Sequence, residues 1–301
     1  MLAFATDLFI QRTFDGLAKG SIYALLALAL VVVFRGSGQL NFAQGEMALF
    51  CAFFAQTLTL SGLPVVLAIV AAALSGFVMG AGVERFLIRP IEKKSPIAVV
   101  VVAVGLFLGL NNLVAVIWGV DARRMPSPFP NEADDFIRIG GAAVRLERLG
   151  IIAVLLLLVA LLWLMFNRTR IGLAMRAVAN NQPSSQLVGI RVGRVLAIGW
   201  GLAGAIGAIG ASLLAPQAGL SGAMMFGPFI FAAAAATVGG LDSPVGAVVA
   251  GLALGLIDAY IVGYLTWIGG DLVLPVTFGI ILAVLVLKPS GLLGSVRVER
   301  V

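Results

Sequence analysis

Histidine is absent from this 301-residue chain, cysteine occurs once, and charged residues make up only 11%. The first absence excludes HExxH metal centres, serine–histidine relays and imidazole acid–base chemistry. Cys51 has no second thiol to bridge, and it sits in an apolar run where a free cysteine acts as a small packing group. None of Lys19, Lys93, Lys94 or Lys288 follows a glycine, so there is no GxxxxGK[ST] phosphate loop. The chain therefore has no ATP site of that kind. Gly219-Leu220-Ser221-Gly222 sets a serine among glycines, but without a histidine its hydroxyl has no base of the expected kind, and the segment reads as a turn. Clustered acids are missing too, which disfavours an intramembrane enzyme and leaves no metal site.

What is present is apolar sequence. Hydrophobic residues are 61% of the chain and the mean hydropathy is +1.10, against about 45–50% apolar and about 25% charged in a soluble domain. The expected fold class is an all-α polytopic membrane protein, one transmembrane domain over 1–301. The net charge of +6 sits in short clusters beside apolar spans, where it sets topology and meets anionic head groups. The start of the chain, with Asp7 and Arg12 around a brief apolar run, lacks the basic region of a secretory signal, so the first span is expected to do the targeting.

A membrane-crossing helix needs about 20 apolar residues. Candidates are 14–34, 40–60, 63–83, 97–118, 150–166, 195–215, 245–264 and 272–288. A further stretch, 226–240, is shorter and rich in Ala and Gly, and suits a broken or re-entrant helix. The expectation is eight or nine spans. Gly201, Gly204, Gly207 and Gly210 recur every third residue, and Gly251 and Gly255 form a GxxxG, spacings that let helices approach closely.

Charge orients these spans. The 84–94 connection is +2, from Arg85, Arg89, Lys93 and Lys94 against Glu84 and Glu92. The 167–194 loop is +5, and the tail from Lys288 to Arg300 is +2. These are expected in the cytoplasm, with the C-terminus. The 119–149 connection balances five bases with five acids and contains Pro126, Pro128 and Pro130, which suits the outer face. Counting 226–240 as a crossing makes the second half consistent and puts the N-terminus outside, against the mild pull of Arg12 and Lys19.

The 167–194 loop is an island of polar sequence with Arg168, Arg170, Arg176, Arg191 and Arg194 and no acid. Asn180 and Asn181 are helix-capping residues, Pro183 suits a first turn and Gly189 a stop. A short, capped, basic helix facing the cytoplasm reads as a docking surface for another protein. The bland alternative is a loop that only sets topology.

Ionisable residues inside spans are functional candidates. Glu46 follows a Gly-rich break from Arg35 to Gly45, Asp242 lies in Gly239-Gly240-Leu241-Asp242-Ser243-Pro244, and Asp258 falls late in a span. The interrupted segments 36–46 and 239–246 occupy comparable places early and late in the chain, the pattern that marks a central pathway in repeat-built transporters. The translocation-path candidates are Asn41, Gln44, Glu46, Asp242 and Asp258. Glu46 also suits a helix N-terminus on electrostatic grounds. Most of these acids lie near span ends, which weakens a stand-alone ion-coupled carrier.

The segments from Gly16 to Leu28, Leu40-Asn41-Phe42-Ala43-Gln44-Gly45-Glu46, Thr169 to Ala179 with Gly189-Ile190, Val238 to Val248, and Lys288 to Gly294 occur in order. Together they resemble the permease subunits of branched-chain amino-acid ABC importers, LivH type. The resemblance implies a bacterial inner-membrane permease that pairs with a second permease. It implies two cytoplasmic ATP-binding subunits, which carry the ATP-Mg, and a periplasmic binding protein that delivers the solute. No cofactor would bind this chain. Coupling to the ATPases would involve Arg176, Asn181, Pro183, Ser184, Ser185, Gln186, Leu187, Gly189 and Arg191. Two departures stand out: Gln44 replaces the family's usual histidine, and Ser184 a frequent acid. A urea or short-chain amide permease is the alternative within the family.

Overall fold

The computed structural model describes residues 2–92, 96–264, 273–288 and 291–294. Lys93, Lys94, the tail charges at 297–300 and Pro289-Ser290 of the last landmark fall outside them. The described chain is a mostly helical membrane protein: α1 (Leu2–Ser37), α2 (Gln44–Leu60), α3 (Val65–Val83), α4 (Pro96–Trp118), α5 (Leu146–Arg168), α6 (Arg170–Asn180), α7 (Gln182–Leu187), α8 (Val192–Ala218), α9 (Phe226–Gly239), α10 (Pro244–Tyr264) and α11 (Val273–Leu287). Among the described residues, six helices are long and apolar enough to cross a membrane: α1, α3 with its continuation to Ile88, α4, α5, α8 and α10. The helices α2, α9 and α11 have 17, 14 and 15 residues, so they fall short of that length. Each apolar stretch picked from the sequence contains a helix. The first extends well beyond 14–34, because nothing before Gly38 breaks helical geometry.

Two compact units are built from this chain. One comprises Met1–Leu28, Ser127–Leu156 and Ile230–Val301, the other Ala29–Pro126 and Leu157–Phe229.

In the first unit, α1 meets α10 with backbone against backbone. A β-carbon on Gly20 would lie 2.8 Å from Leu252 Cα, and one on Gly251 would lie 2.6 Å from Ala24 Cα. Small residues make this approach possible, as in other membrane helix pairs. The 119–149 connection contributes a feature not expected from sequence, a hairpin of β1 (Phe136–Ile139) and β2 (Ala142–Arg145), paired antiparallel with Ile139 opposite Ala142. Its two-residue turn, Gly140-Gly141, has φ of 58° and 95°, the left-handed pair that a type I′ turn requires. The landmarks 238–248 and 288–294 meet here, because the Leu292 and Leu293 amides donate to the Val238 and Gly239 carbonyls at 2.6 and 3.2 Å.

In the second unit, α3 lies along α8 at Gly76, Gly80, Gly201 and Gly204, with no room for β-carbons at the crossing. Cys51 on α2 is buried and takes a contact from Ser75 Oγ on α3 at 3.8 Å, consistent with a packing role. The apolar faces of α4 and α5 remain open, with Val101, Leu108, Leu156 and Leu161 exposed. Such faces suit lipid, which solvates Leu and Val as well as a protein core does.

Candidate functional site

The polar island folds as three connected pieces of the second unit. Helix α6 starts at the cap Thr169, whose hydroxyl accepts from the Gly172 amide at 3.0 Å. It buries Gly172, Met175 and Val178 on one face, three residues spaced to fall on one helical stripe. The arginines 168, 170, 176, 191 and 194 are all exposed. Arg176 donates to Asn167 Oδ1 at 3.3 Å. Arg176 also lines, with Arg35, Phe166 and Trp200, a cavity of about 20 Å³.

Helix α7 has six residues, far too few to persist on propensity alone. Its ends are therefore fixed by side chains and turns. Asn181 Oδ1 accepts from the Ser184 amide at 2.9 Å, Ser185 Oγ donates to the Asn181 carbonyl at 2.7 Å, and Pro183 occupies the first turn. Beyond the helix, Gly189 turns the chain at φ 85°, a conformation costly for residues with a β-carbon. Pro183, Ser184 and Gln186 are exposed, Ser185 is buried, and Leu187 is 89% exposed. The result is a rigid knob with an apolar tip among arginines.

One polar tie joins this knob to a span, and a second joins two spans next to it. Gln182 Nε2 donates to the Gly36 carbonyl at the end of α1, at 2.7 Å. On the other side, α3 runs into a π-helical turn, Glu84–Ile88, that buries Glu84. Arg89 binds both Glu84 oxygens, at 3.0 and 2.5 Å, and donates to the Gly193 carbonyl in the first turn of α8 at 2.5 Å. Hydrogen bonding to Glu84 raises the already high pKa of Arg89. Sequence reading took Glu84 and Arg89 only as topogenic charge. An acid and a base five apart at a span end was the available signal, but only a π-turn sets them face to face.

The path candidates divide between the two units. In the second, Asn41, Gln44 and Glu46 are all buried. Asn41 Nδ2 donates to Gln44 Oε1 at 3.1 Å, and Gln44 Nε2 to the Ala203 carbonyl of α8 at 2.9 Å. Glu46 Oε2 accepts from Asn111 Nδ2 of α4 at 3.0 Å, and the same amide reaches the Gly222 carbonyl. Asn111 was not singled out from the sequence, because an isolated Asn in an apolar run carries no motif. In the first unit, Asp242 lies in the turn that starts α10, where Ser243 Oγ accepts from the Gly246 amide at 3.1 Å. Asp258 is buried on α10, where Lys19 Nζ and Tyr23 OH each reach its Oδ2 at 3.2 Å.

The class defined here is a multi-span helical membrane protein with an exposed, capped knob set in a basic loop. The chain belongs to the family described as branched-chain amino acid transport system / permease component, whose model matches residues 12–287. It is 30% identical to the high-affinity branched-chain amino acid transport system permease protein BraD of Pseudomonas aeruginosa, over 97% of this chain and 98% of that protein. It is 29% identical to the Escherichia coli K12 permease LivH, over the same shares. A probable branched-chain amino acid transport permease of Methanocaldococcus jannaschii is 26% identical over 91% of this chain and 89% of its own length. No solved structure matches.

Proposed function

We propose that this chain is the membrane-spanning subunit of an ATP-driven importer for branched-chain and other hydrophobic amino acids. The observation that carries the coupling part of this reading is α7: six residues, capped at Asn181, tipped by exposed Leu187 and tied at Gln182 to α1. Two cytoplasmic ATP-binding subunits, holding ATP-Mg, seat on α7 and the arginines of 168–194. A second permease completes the pathway, and a periplasmic binding protein delivers the solute at the 119–149 side. The chain lies in the bacterial inner membrane with its C-terminus in the cytoplasm. The shorter helices α2, α9 and α11 bring the crossings to eight or nine.

The chemistry here is mechanical. When the ATP-binding subunits close, α7 is displaced. Its tie at Gln182 carries that motion to the end of α1, and the short turn after Gly189 carries it to the start of α8, which Arg89 joins to α3. Asn41, Gln44 and Glu46 in the second unit, and Asp242 and Asp258 in the first, are the candidates for contact with the solute. The family names of the relatives support amino acids as the solute.

Purification of the tagged chain in mild detergent from its native membrane tests this. Co-purification of a second permease and an ATPase pair, with leucine uptake after reconstitution with the binding protein, is the expected outcome. A chain that comes out alone and carries solute alone overturns it. A binding protein that arrives loaded with urea or an amide redirects the substrate.

A further inference from the structure

The seam between α1 and α10 holds charge that the docking surface does not use. Lys19 Nζ and the Tyr23 hydroxyl converge on one oxygen of Asp258, Oδ2, each at 3.2 Å. The Tyr23 ring is fixed by parallel stacking on Phe231, with centroids 4.7 Å apart, so its hydroxyl is aimed. Among the described residues, no hydrogen bond reaches the other oxygen, Oδ1. On the same face of α1, two turns back, the Nε of Arg12 is buried and donates no hydrogen bond among the described residues. The nearby acid Asp15 is already paired with Arg148. The glycine contacts described above lock the two backbones, which makes the seam a stiff platform.

A purely structural ion pair is a poor account of this cluster. Ionisable groups within membrane helices are costly and mark solute or ion routes. A buried pair adds little stability over apolar residues of similar volume. This pair is also open on one side: the Lys19 side chain is 48% exposed and that of Asp258 8%. The open side is that of the Lys19 ammonium, beside a nearly buried carboxylate whose Oδ1 takes no hydrogen bond from the described residues. Its complement is a group carrying a carboxylate and an ammonium on one carbon.

We propose that Lys19, Asp258 and Tyr23 form a head-group subsite for the amino-acid zwitterion in transit. Lys19 takes the α-carboxylate, Asp258 Oδ1 takes the α-ammonium, and Tyr23 holds Asp258 in place. Such a site reads only the part that all amino acids share, which leaves the apolar side chain to apolar walls. The proposal rests on the importer reading above.

The test is leucine uptake by proteoliposomes carrying the complete transporter with its binding protein in excess. Lys19→Met, Asp258→Asn and the double variant are each expected to lower uptake at least about tenfold, a loss of about 1.4 kcal/mol in the transport step, at unchanged yield of assembled complex. The double variant discriminates, since removing both charges leaves no unpaired ion and would restore a merely structural pair. Wild-type uptake in it overturns the subsite. Lys19 is half exposed, so Lys19→Met empties no core, and it reads the site even if changes at Asp258 prevent assembly. Lys19→Arg is expected to keep uptake with an altered KM, and equal inactivity of Arg and Met variants overturns a charge role. A wild-type complex that takes up no leucine sinks the importer reading itself.

Discussion

Arg89 shows how much one side chain holds at the end of α3. It satisfies a carboxylate that is 1% exposed and the Gly193 carbonyl together. Arg89→Ala strands both. The expected loss is roughly 2–3 kcal/mol, below the range for a fully buried pair because Arg89 itself is 37% exposed. Thermal unfolding of the purified protein in detergent measures it, and adding Glu84→Gln should return part of the loss. If Arg89 makes α3 follow the start of α8, the variant will also hydrolyse ATP with less uptake per ATP. Gln44 poses a different question at the same scale. Both ends of its amide bond within the protein, to Asn41 and to the Ala203 carbonyl, so it meets solute only when α2 and α8 part. Gln44→His should shift relative uptake across a panel of amino acids and urea. Uptake rates that keep their order would make Gln44 a bridge between helices.

Among the elements, α7 is the most exposed to test, because a helix of six residues survives only through its caps. Leu187→Pro should leave the protein inserted and abolish uptake, and Arg176→Ala should lower uptake strongly. Both are checked by transport against the amount of protein in the membrane. Normal uptake in both variants ends the docking reading. The seam of α1 and α10 behaves as a packed joint instead. Gly20→Val pushes a side chain into the Leu252 backbone, and overpacking of this kind costs about 1–3 kcal/mol, visible as a lowered yield of folded protein. Element boundaries were legible where a residue type forces them: Gly189 with positive φ, and Asn181 as a cap. The hairpin was legible in principle from Gly-Gly between alternating residues. Its prolines and mixed charge drew the reading toward irregular loop.

For the whole molecule, composition alone settled the class, because no soluble fold covers this much apolar surface. On the proposed reading the energy for transport comes from partner ATPases. Purified alone and reconstituted, the chain is expected to show no ATP hydrolysis and no uphill leucine uptake, and both should appear when ATPases and binding protein are added. The crossing count was less legible. Length and hydropathy rank helices by their own sequence, and the helices α2 and α9, at 17 and 14 residues, sit below that threshold.

Sequence by itself determined what local chemistry determines: apolar runs that become helices, glycines and asparagines that end or cap them, basic clusters, and the missing catalytic groups. Tertiary structure decided which distant polar groups meet. Lys19 and Asp258 are 239 residues apart in the chain and 3.2 Å apart in space. Asn111 finds Glu46, and Arg89 finds the start of α8. No periodicity encodes such pairs, because they depend on how helices rotate and slide until their small residues interlock. Charges in an apolar phase then settle on whatever partners that packing brings within reach.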